Sequence, residues 1–245
     1  MIVQACINGA RDAAFHPALP LTSEAMARDS AACVAAGAAE VHLHARGADG
    51  RESLSPAAMD PTVRAVRRAC PGTLIGVSTG AWIERDEQRT LAAIDGWREL
   101  PDYASVNLSE PDAPAVIERL HRRGIGVEAG LASVADAERL VALNRSRLAL
   151  RILIEVSEQD VEEALAVVDG IERVLNRGAV RRPILAHGVD ATVWRFVALA
   201  AERRWSTRVG LEDGETLPSG VVAADNAAIV GAAVARFATR ARSSQ

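Results

Sequence analysis

The chain has 245 residues, 49% of them apolar, and a formal net charge of −4 from 32 acidic and 28 basic side chains. Every basic residue is an arginine, which excludes chemistry that needs a Schiff-base lysine or a Walker lysine. No basic stripe interleaves with aromatic residues, so the sequence argues against nucleic-acid binding.

The N-terminal segment enters a strand pattern directly, without a signal-peptide pattern, and no apolar stretch reaches the ~20 residues of a membrane span. Cys6, Cys33 and Cys70 lie in apolar segments without C-x-x-C spacing, which predicts reduced core thiols. We therefore expect a cytoplasmic protein without a membrane partner.

Strand-like runs alternate with amphipathic helical patterns along the whole chain. The predicted strands are Ile2–Ile7, Glu40–His44, Leu74–Ser78, Tyr103–Asn107, Gly126–Glu128, Leu150–Val156, Pro183–His187 and Thr207–Leu211. The predicted helices are Ser23–Ala36, Pro56–Ala69, Arg85–Arg98, Ala113–Arg122, Val134–Leu143, Gln159–Leu175, Ala191–Glu202 and Asn226–Ala238. This alternation is typical of parallel βαβ units. It predicts a single-domain (β/α)8 TIM barrel over residues 1–238, followed by a disordered tail over residues 239–245. The alternative architecture is an open doubly wound sheet.

Polar residues fall where the predicted strands end, which in a (β/α)8 barrel is where the active site lies. In strand order these residues are Asn8, His42, His44, Ser78, Thr79, Ser105, Asn107, Glu128, Glu155, His187, Arg208, Glu212 and Asp213. Any one of them could instead be a cap, a turn former or a partner of a structural arginine. Their shared placement makes Asn8, Asn107 and Glu128 candidates for substrate binding.

His42 and His44 stand two residues apart on a predicted buried strand, so their side chains point to the same face. Such a pair can ligate a divalent transition metal, although two hydrogen-bonded core histidines would give the same pattern. Glu212 is the preferred third ligand and His187 the alternative. Two imidazoles and one carboxylate leave an open position on the ion, as in catalytic zinc sites. Manganese, iron or cobalt would also accept this set.

Four segments together resemble a known family. They are Ile7-Asn8-Gly9-Ala10, the run from Val41 to Arg46, the run from Gly76 to Gly80, and Arg208-Val209-Gly210-Leu211-Glu212-Asp213. The chain is similar over nearly its whole length to the β-keto acid cleavage enzymes, also called 3-keto-5-aminohexanoate cleavage proteins. The resemblance implies a zinc-dependent TIM barrel that joins a β-keto acid with acetyl-CoA to give acetoacetate and a new acyl-CoA.

Carried over residue by residue, the resemblance also implies roles for individual side chains. It implies zinc ligation by His42, His44 and Glu212, catalysis by Arg208 and Asp213, and binding of the substrate carboxylate by Ser78. The lysine-free composition agrees with a carbanion that is stabilised by a metal. We also expect a homo-oligomer, either a dimer or a tetramer.

Arg11 departs from the resemblance, because many family members carry a glutamate directly after the I-x-G-A motif. A cation at this position favours keto acids with an anionic or uncharged tail, unless Arg11 is a solvated loop residue.

Two rival functions remain open. One is a metal-dependent hydrolase of the amidohydrolase type, which would need further metal histidines on strands 5 and 6. The other is a non-catalytic barrel that binds a metal or a metabolite.

Overall fold

Parallel strands form a closed barrel in which each strand pairs with its neighbours in sequence and the last pairs with the first. The computed structural model describes residues 1–243, with side chains through residue 237. The strands are β1 Val3–Cys6, β2 Glu40–Leu43, β3 Leu74–Ser78, β4 Tyr103–Asn107, β5 Gly126–Leu131, β6 Ala149–Val156, β7 Ile184–Gly188 and β8 Ser206–Val209. The predicted TIM barrel is confirmed, and the open sheet is excluded.

Helices connect successive strands around the outside of the barrel. They are α1 Ser23–Ala35, α2 Pro56–Ala69, α3 Ala81–Glu84, α4 Glu87–Gly96, α5 Ala113–Arg122, α6 Val134–Ala142, α7 Val161–Arg177, α8 Val193–Arg203 and α9 Asn226–Ser243. Short 3₁₀ turns precede β6 and α8. Over residues 1–243, no helix has both the length and the apolar character that a membrane crossing requires.

Side-chain caps set the start of several helices. Thr22 Oγ1 accepts a hydrogen bond from the backbone N–H of Ala25 at 3.2 Å, as expected of an N-cap threonine. Ser133 and Asp136 form a reciprocal capping box at the start of α6, which satisfies two N–H groups that the helix itself leaves free.

The predicted helix over residues 85–98 differs from the structure. Only α4 lies within that range. Arg85 ends the short preceding helix α3 in a left-handed conformation with φ of 57°, and Asp86 caps α4, which ends at Gly96, by accepting from the N–H of Arg89.

The predicted end of the last helix at residue 238 also differs. Helix α9 continues to Ser243 through a segment without glycine or proline, where nothing interrupts helical hydrogen bonding. The expected disordered tail therefore overlaps this helix over residues 239–243, and residues 244–245 lie outside the described part of the chain.

The predicted end of strand 5 at Glu128 is wrong. Ala129, Gly130 and Leu131 continue β5 and pair with β6, and a Cβ on Gly130 would lie 2.6 Å from a carboxylate oxygen of Glu155. Glycine at this point lets the strand continue beneath that side chain. Glu128 consequently lies inside the barrel, in mid-strand, and not at the mouth.

A buried ion-pair group occupies the barrel interior around Arg151. Its Nη2 donates to Glu40, and its Nε lies 2.7 Å from Glu128 Oε1. Gln4 Nε2 also donates to this oxygen of Glu128, at 3.2 Å. Burial raises the pKa of Glu128, and the charge of Arg151 opposes that rise. The arginine is the cation that allows two carboxylates to lie in the core.

Replacing Arg151 by leucine should therefore lower the free energy of unfolding by about 3–5 kcal/mol, because two buried carboxylates lose their counter-charge. Arg203→Leu is the matched control, since Arg203 also pairs with two carboxylates, Asp169 and Glu172, at the protein surface. There the loss should stay below about 1 kcal/mol for each pair. Urea unfolding of both variants checks the difference, and equal losses would contradict a structural role for the buried group.

Candidate metal centre and active site

Three potential metal ligands meet at the carboxyl end of the barrel. His42 lies on β2, His44 follows that strand, and Glu212 follows β8. The Nε2 atom of His42 lies 4.0 Å from Glu212 Oε2, and Nε2 of His44 lies 3.5 Å from Glu212 Oε1. Among the described residues, these side chains form the group whose ligand atoms are close enough for one metal ion.

Glu212 reaches the two histidines because β1 lies between β2 and β8 and the turn after β8 packs closely on it. The N–H of Glu212 donates to the carbonyl of Cys6 at 3.3 Å. Gly9 has a φ of 52°, and a Cβ there would overlap the Glu212 side chain. A glycine at this position therefore makes room for the carboxylate beside the imidazoles.

The three groups differ in their protonation. Burial lowers the pKa of His42 well below its usual value. Burial also acts to lower the pKa of His44, but the carboxylates of Glu212 and Glu52 outweigh it and raise that pKa to about 9. For Glu212, burial favours the neutral acid, yet Arg208 and His44 hold its pKa well below the usual range. The three donors are thus the neutral imidazole of His42, the imidazole of His44, whose proton a metal ion can displace, and the carboxylate of Glu212.

These residues fit a divalent metal. Glu212 Oε2, which lies 4.0 Å from His42 Nε2, is buried and has no hydrogen-bond partner within the described part of the chain, and such atoms normally have one. Two nitrogen donors and one oxygen donor suit zinc and other first-row ions, with a coordination position left open.

The chain backbone around this site is fastened by two buried asparagines. Asn8 Nδ2 donates to the carbonyls of Pro20 and His44, and its Oδ1 accepts from the N–H of His44 at 2.9 Å. Asn226 Oδ1 accepts from the N–H of Leu211 at 2.7 Å, and its Nδ2 donates to the carbonyl of Ile7 at 2.8 Å. Both ends of the Asn8 amide, which is predicted to bind substrate, are hydrogen-bonded to backbone groups, two of them those of His44.

Arg208 and Asp213 lie together beside the three ligands. Arg208 Nη2 is 2.7 Å from Glu212 Oε1 and 3.3 Å from Asp213 Oδ1. The other oxygen of Asp213 is buried and has no hydrogen-bond partner among the described residues. Asp213 can therefore accept a proton at Oδ2 while its Oδ1 stays next to the guanidinium.

His187, the alternative third ligand, belongs to a different group. Its Nδ1 lies 3.1 Å from Asp213 Oδ1, and its Nε2 lies 3.6 Å from Glu155 Oε2. Both ring nitrogens thus face carboxylates. Because the ligand group of the described residues consists of His42, His44 and Glu212, the geometry favours Glu212 as the third ligand.

The remaining predicted substrate residues have different surroundings. Ser78 ends β3, and its Oγ accepts from the N–H of Gly80 at 3.2 Å, which leaves its O–H able to donate. Asn107 ends β4 half-buried, with Nδ2 donating to Glu110 at 3.1 Å. Glu128 lies below the mouth, completely buried, so its position gives no support to a substrate contact.

Arg11 reaches the mouth from the loop after β1 and is held by two partners. Its Nε donates to the backbone carbonyl of Glu212 at 3.1 Å, and its Nη2 pairs with Asp190 at 2.8 Å. The guanidinium also lies 4.2 Å from the ring centroid of Phe15. Arg11 is therefore anchored beside the ligands and is not a freely solvated loop residue.

Two residues at this end of the barrel, Glu52 and Trp82, are not predicted from the sequence. Glu52 lies next to His44, and the Trp82 ring is stacked near the same imidazole, with ring centroids 6.5 Å apart. One signal was present for Glu52. The Asp49-Gly50 pair predicts a tight turn that folds residue 52 back beside the end of β2.

A sequence model of the beta-keto acid cleavage enzyme family matches residues 1–243. The chain belongs to this family. A 3-keto-5-aminohexanoate cleavage enzyme from Fusobacterium nucleatum is 37% identical over 81 residues, which cover 33% of this chain and 30% of the relative. A 3-oxoadipate:acetyl-CoA acetyltransferase from Cupriavidus necator is 27% identical over 88% of this chain and 80% of that protein. The resemblance seen in the sequence motifs is confirmed.

Solved structures share the fold with this family member. A ternary complex of ObcA with a C4-CoA adduct and oxalate has a TM-score of 0.75 at 18% identity, covering 92% of this chain and 65% of that one. The chain thus spans about two thirds of ObcA, and about a third of the Fusobacterium relative aligns with it. A 3-dehydroquinate dehydratase from Geobacillus kaustophilus has a TM-score of 0.67 at 10% identity, with coverage of 100% and 92%. At these identities the likeness shows the barrel alone.

The close approach of Gly9 to Glu212 leads to a stability and metal-binding prediction. Gly9→Ala should cost about 1–2 kcal/mol of unfolding free energy for the left-handed backbone and about 1–3 kcal/mol more for the overlap with Glu212. It should also weaken metal binding. Gly50→Ala is the control, because Gly50 has a φ of 77° and open space around it. Equal unfolding free energies and unchanged metal affinity in the two variants would show that Glu212 does not depend on this glycine.

Proposed function

We propose that the protein is a metal-dependent β-keto acid cleavage enzyme, which joins a β-keto acid with acetyl-CoA and forms acetoacetate and a new acyl-CoA. The supporting observation is that His42, His44 and Glu212 meet beside Arg208 and Asp213 in a chain of this family. Zinc is the preferred ion because the donors are two imidazoles and one carboxylate. The expected cytoplasmic location and the expected homo-oligomer stay predictions from the sequence.

Asp213 is the proposed base. Its unpartnered Oδ2 takes the proton from the α-carbon of the keto acid, while Arg208 beside Oδ1 orients the carboxylate. Ser78 donates its O–H to the substrate carboxylate. A divalent ion held by the three ligands would supply Lewis-acid polarisation of the β-ketone.

The proposed bond changes balance without another reactant. The deprotonated α-carbon attacks the thioester carbonyl of acetyl-CoA, and the CoA thiolate leaves. The thiolate then attacks the original β-ketone, and the bond between that carbonyl and the α-carbon breaks. The acyl group leaves as acyl-CoA, and Asp213 returns its proton to the α-carbon, which is now part of acetoacetate. The hydrolase alternative lacks support, because β5 and β6 contain no histidine.

The first test of the function is metal content together with product formation. The purified protein should bind one zinc ion and convert acetyl-CoA and a β-keto acid into acetoacetate and acyl-CoA, measured by mass spectrometry. His42→Ala should lose both properties and, compared with the unaltered protein in the metal-free state, keep its unfolding free energy, because the hydrophobic barrel core does not include the ion. His121→Ala, at an exposed position on α5, is the control. A His42→Ala protein that retains both zinc and turnover would disprove the ligand assignment.

The second test separates the base from the ligands. Asp213→Asn preserves size and removes the acceptor charge, so turnover should fall by about 10²–10⁴-fold, as for a lost general base. Zinc content should remain that of the unaltered protein. If zinc is lost instead, Asp213 supports the metal through its neighbours and is not the base.

The tail of the substrate is proposed to be anionic or uncharged. Arg11 lies at the mouth, and the Cupriavidus relative is named for 3-oxoadipate, a keto acid with a second carboxylate. Since Asp190 occupies one side of the guanidinium, the remaining N–H donors are those that a carboxylate could engage.

Arg11→Glu should therefore lower kcat/KM for 3-oxoadipate relative to 3-keto-5-aminohexanoate by about tenfold to a hundredfold, the worth of one charge-assisted hydrogen bond. Asp190→Asn should change the ratio in the opposite direction, because it frees Arg11 from its partner. Steady-state kinetics with both keto acids measures the ratio. An unchanged ratio in Arg11→Glu would mean that another residue recognises the substrate charge.

A further inference from the structure

The carboxylate of Glu52 joins a proposed metal ligand to an aromatic residue at the mouth of the barrel. Its Oε1 lies 2.5 Å from Nδ1 of His44, and its Oε2 accepts from Nε1 of Trp82 at 2.9 Å. The Glu52 side chain is 12% exposed. Neither the family motifs nor the ligand group includes this residue.

The backbone holds Glu52 in this position through a hairpin. The segment after β2 turns at Gly50, whose N–H donates to the carbonyl of Gly47 at 2.9 Å, and Ser53 N–H donates to the carbonyl of Ala45 at 3.0 Å. Residues 46 and 52 face each other as an antiparallel bridge. The hairpin is thus joined to the chain directly after His44, at the end of β2, which limits movement of the Glu52 carboxylate.

The contact between Glu52 and Nδ1 of His44 decides which nitrogen of His44 is available to bind a metal ion. A neutral imidazole has one N–H and one lone pair, and a carboxylate at Nδ1 places the N–H there. The lone pair then lies on Nε2, the atom that faces Glu212 at 3.5 Å. His42 has no comparable partner on its Nδ1 within the described residues. Orientation through a carboxylate is therefore particular to His44.

Trp82 contacts the Glu52 carboxylate on the oxygen that does not face His44. Its indole is 44% exposed and lies at 26° to the His44 ring plane. It packs over Gly80, where a Cβ would overlap the indole ring. The indole N–H occupies the second oxygen of Glu52, so the carboxylate cannot rotate away from His44 without losing a hydrogen bond.

We infer that Glu52 is a positioning residue, which orients Nε2 of His44 toward the metal and is itself held in place by the indole N–H of Trp82. The inference rests on the proposed function, because it requires that His44 ligate a metal. Residues that hold a ligating histidine typically affect metal affinity by about 10–100-fold.

The test compares zinc affinity in matched variants, using competition with a chromophoric chelator. Glu52→Gln preserves size and removes the anionic acceptor, so it should weaken zinc binding about 10–100-fold. Glu84→Gln is the control, because Glu84 accepts from the N–H of Leu54 in the adjacent segment and is not hydrogen-bonded to His44. The Co²⁺ absorption spectrum should change in Glu52→Gln and remain unchanged in Glu84→Gln, a signature that a loss of fold stability alone would not produce.

A second pair of variants examines the indole and does not depend on how well Glu52→Gln folds. Trp82→Phe removes one hydrogen bond from a half-exposed ring, so it should weaken zinc binding about 2–10-fold. Trp194→Phe removes a similar indole hydrogen bond, to the carbonyl of Thr216, and should leave zinc affinity unchanged.

The outcomes distinguish the inference from the function on which it rests. Zinc binding by the unaltered protein, weakened in Glu52→Gln and Trp82→Phe alone, supports the positioning role. Unchanged affinity in both variants overturns it and leaves the ligand assignment intact. Equal weakening in Glu84→Gln also overturns it. If the unaltered protein binds no zinc and forms no acetoacetate, the proposed function itself fails.

Discussion

Pairing of β1 with both β2 and β8 is the constraint on which the site depends. His42 lies on β2 and His44 directly after it, near the start of the chain, and Glu212 follows β8 near its end, so only closure of the barrel brings them together. The turn after β8 is held on β1 by the bond from the N–H of Glu212 to Cys6. Asn226, at the start of the last helix, joins the N–H of Leu211 to the carbonyl of Ile7. The candidate metal site therefore forms only in the folded chain.

The second constraint is that buried carboxylates need a nearby cation. Two arginines supply it, at different depths in the barrel. Arg151 lies between Glu40 and Glu128 inside the barrel, and Arg208 lies beside Glu212 and Asp213 at the mouth. Adjacent buried carboxylates tend to stay protonated unless a cation lies close by. Arg208 is such a cation, and it helps to hold the pKa of Glu212 well below the usual range.

Rigid attachment of the ligands contrasts with the varied contacts at the rim. Asn8 is hydrogen-bonded to both the N–H and the carbonyl of His44. The imidazole Nδ1 of His44 lies against Glu52. Side chains that are already fixed before a metal ion or substrate arrives lose little conformational freedom on binding. By contrast, the Arg11–Asp190 pair joins two loops at a partly exposed position. The three potential metal ligands and the loop pair thus lie in separate layers of the same mouth.

The sequence by itself determined the eight βα units, the inward-facing pair His42 and His44, and the family, because these follow from local periodicity and short motifs. It did not reveal that β5 extends past Glu128, because that end depends on pairing with β6 and on the space at Gly130. Only the tertiary structure decided that Asp190 meets Arg11 and that Trp82 meets Glu52. Those contacts arise from barrel closure and loop packing between distant segments, which no local pattern encodes.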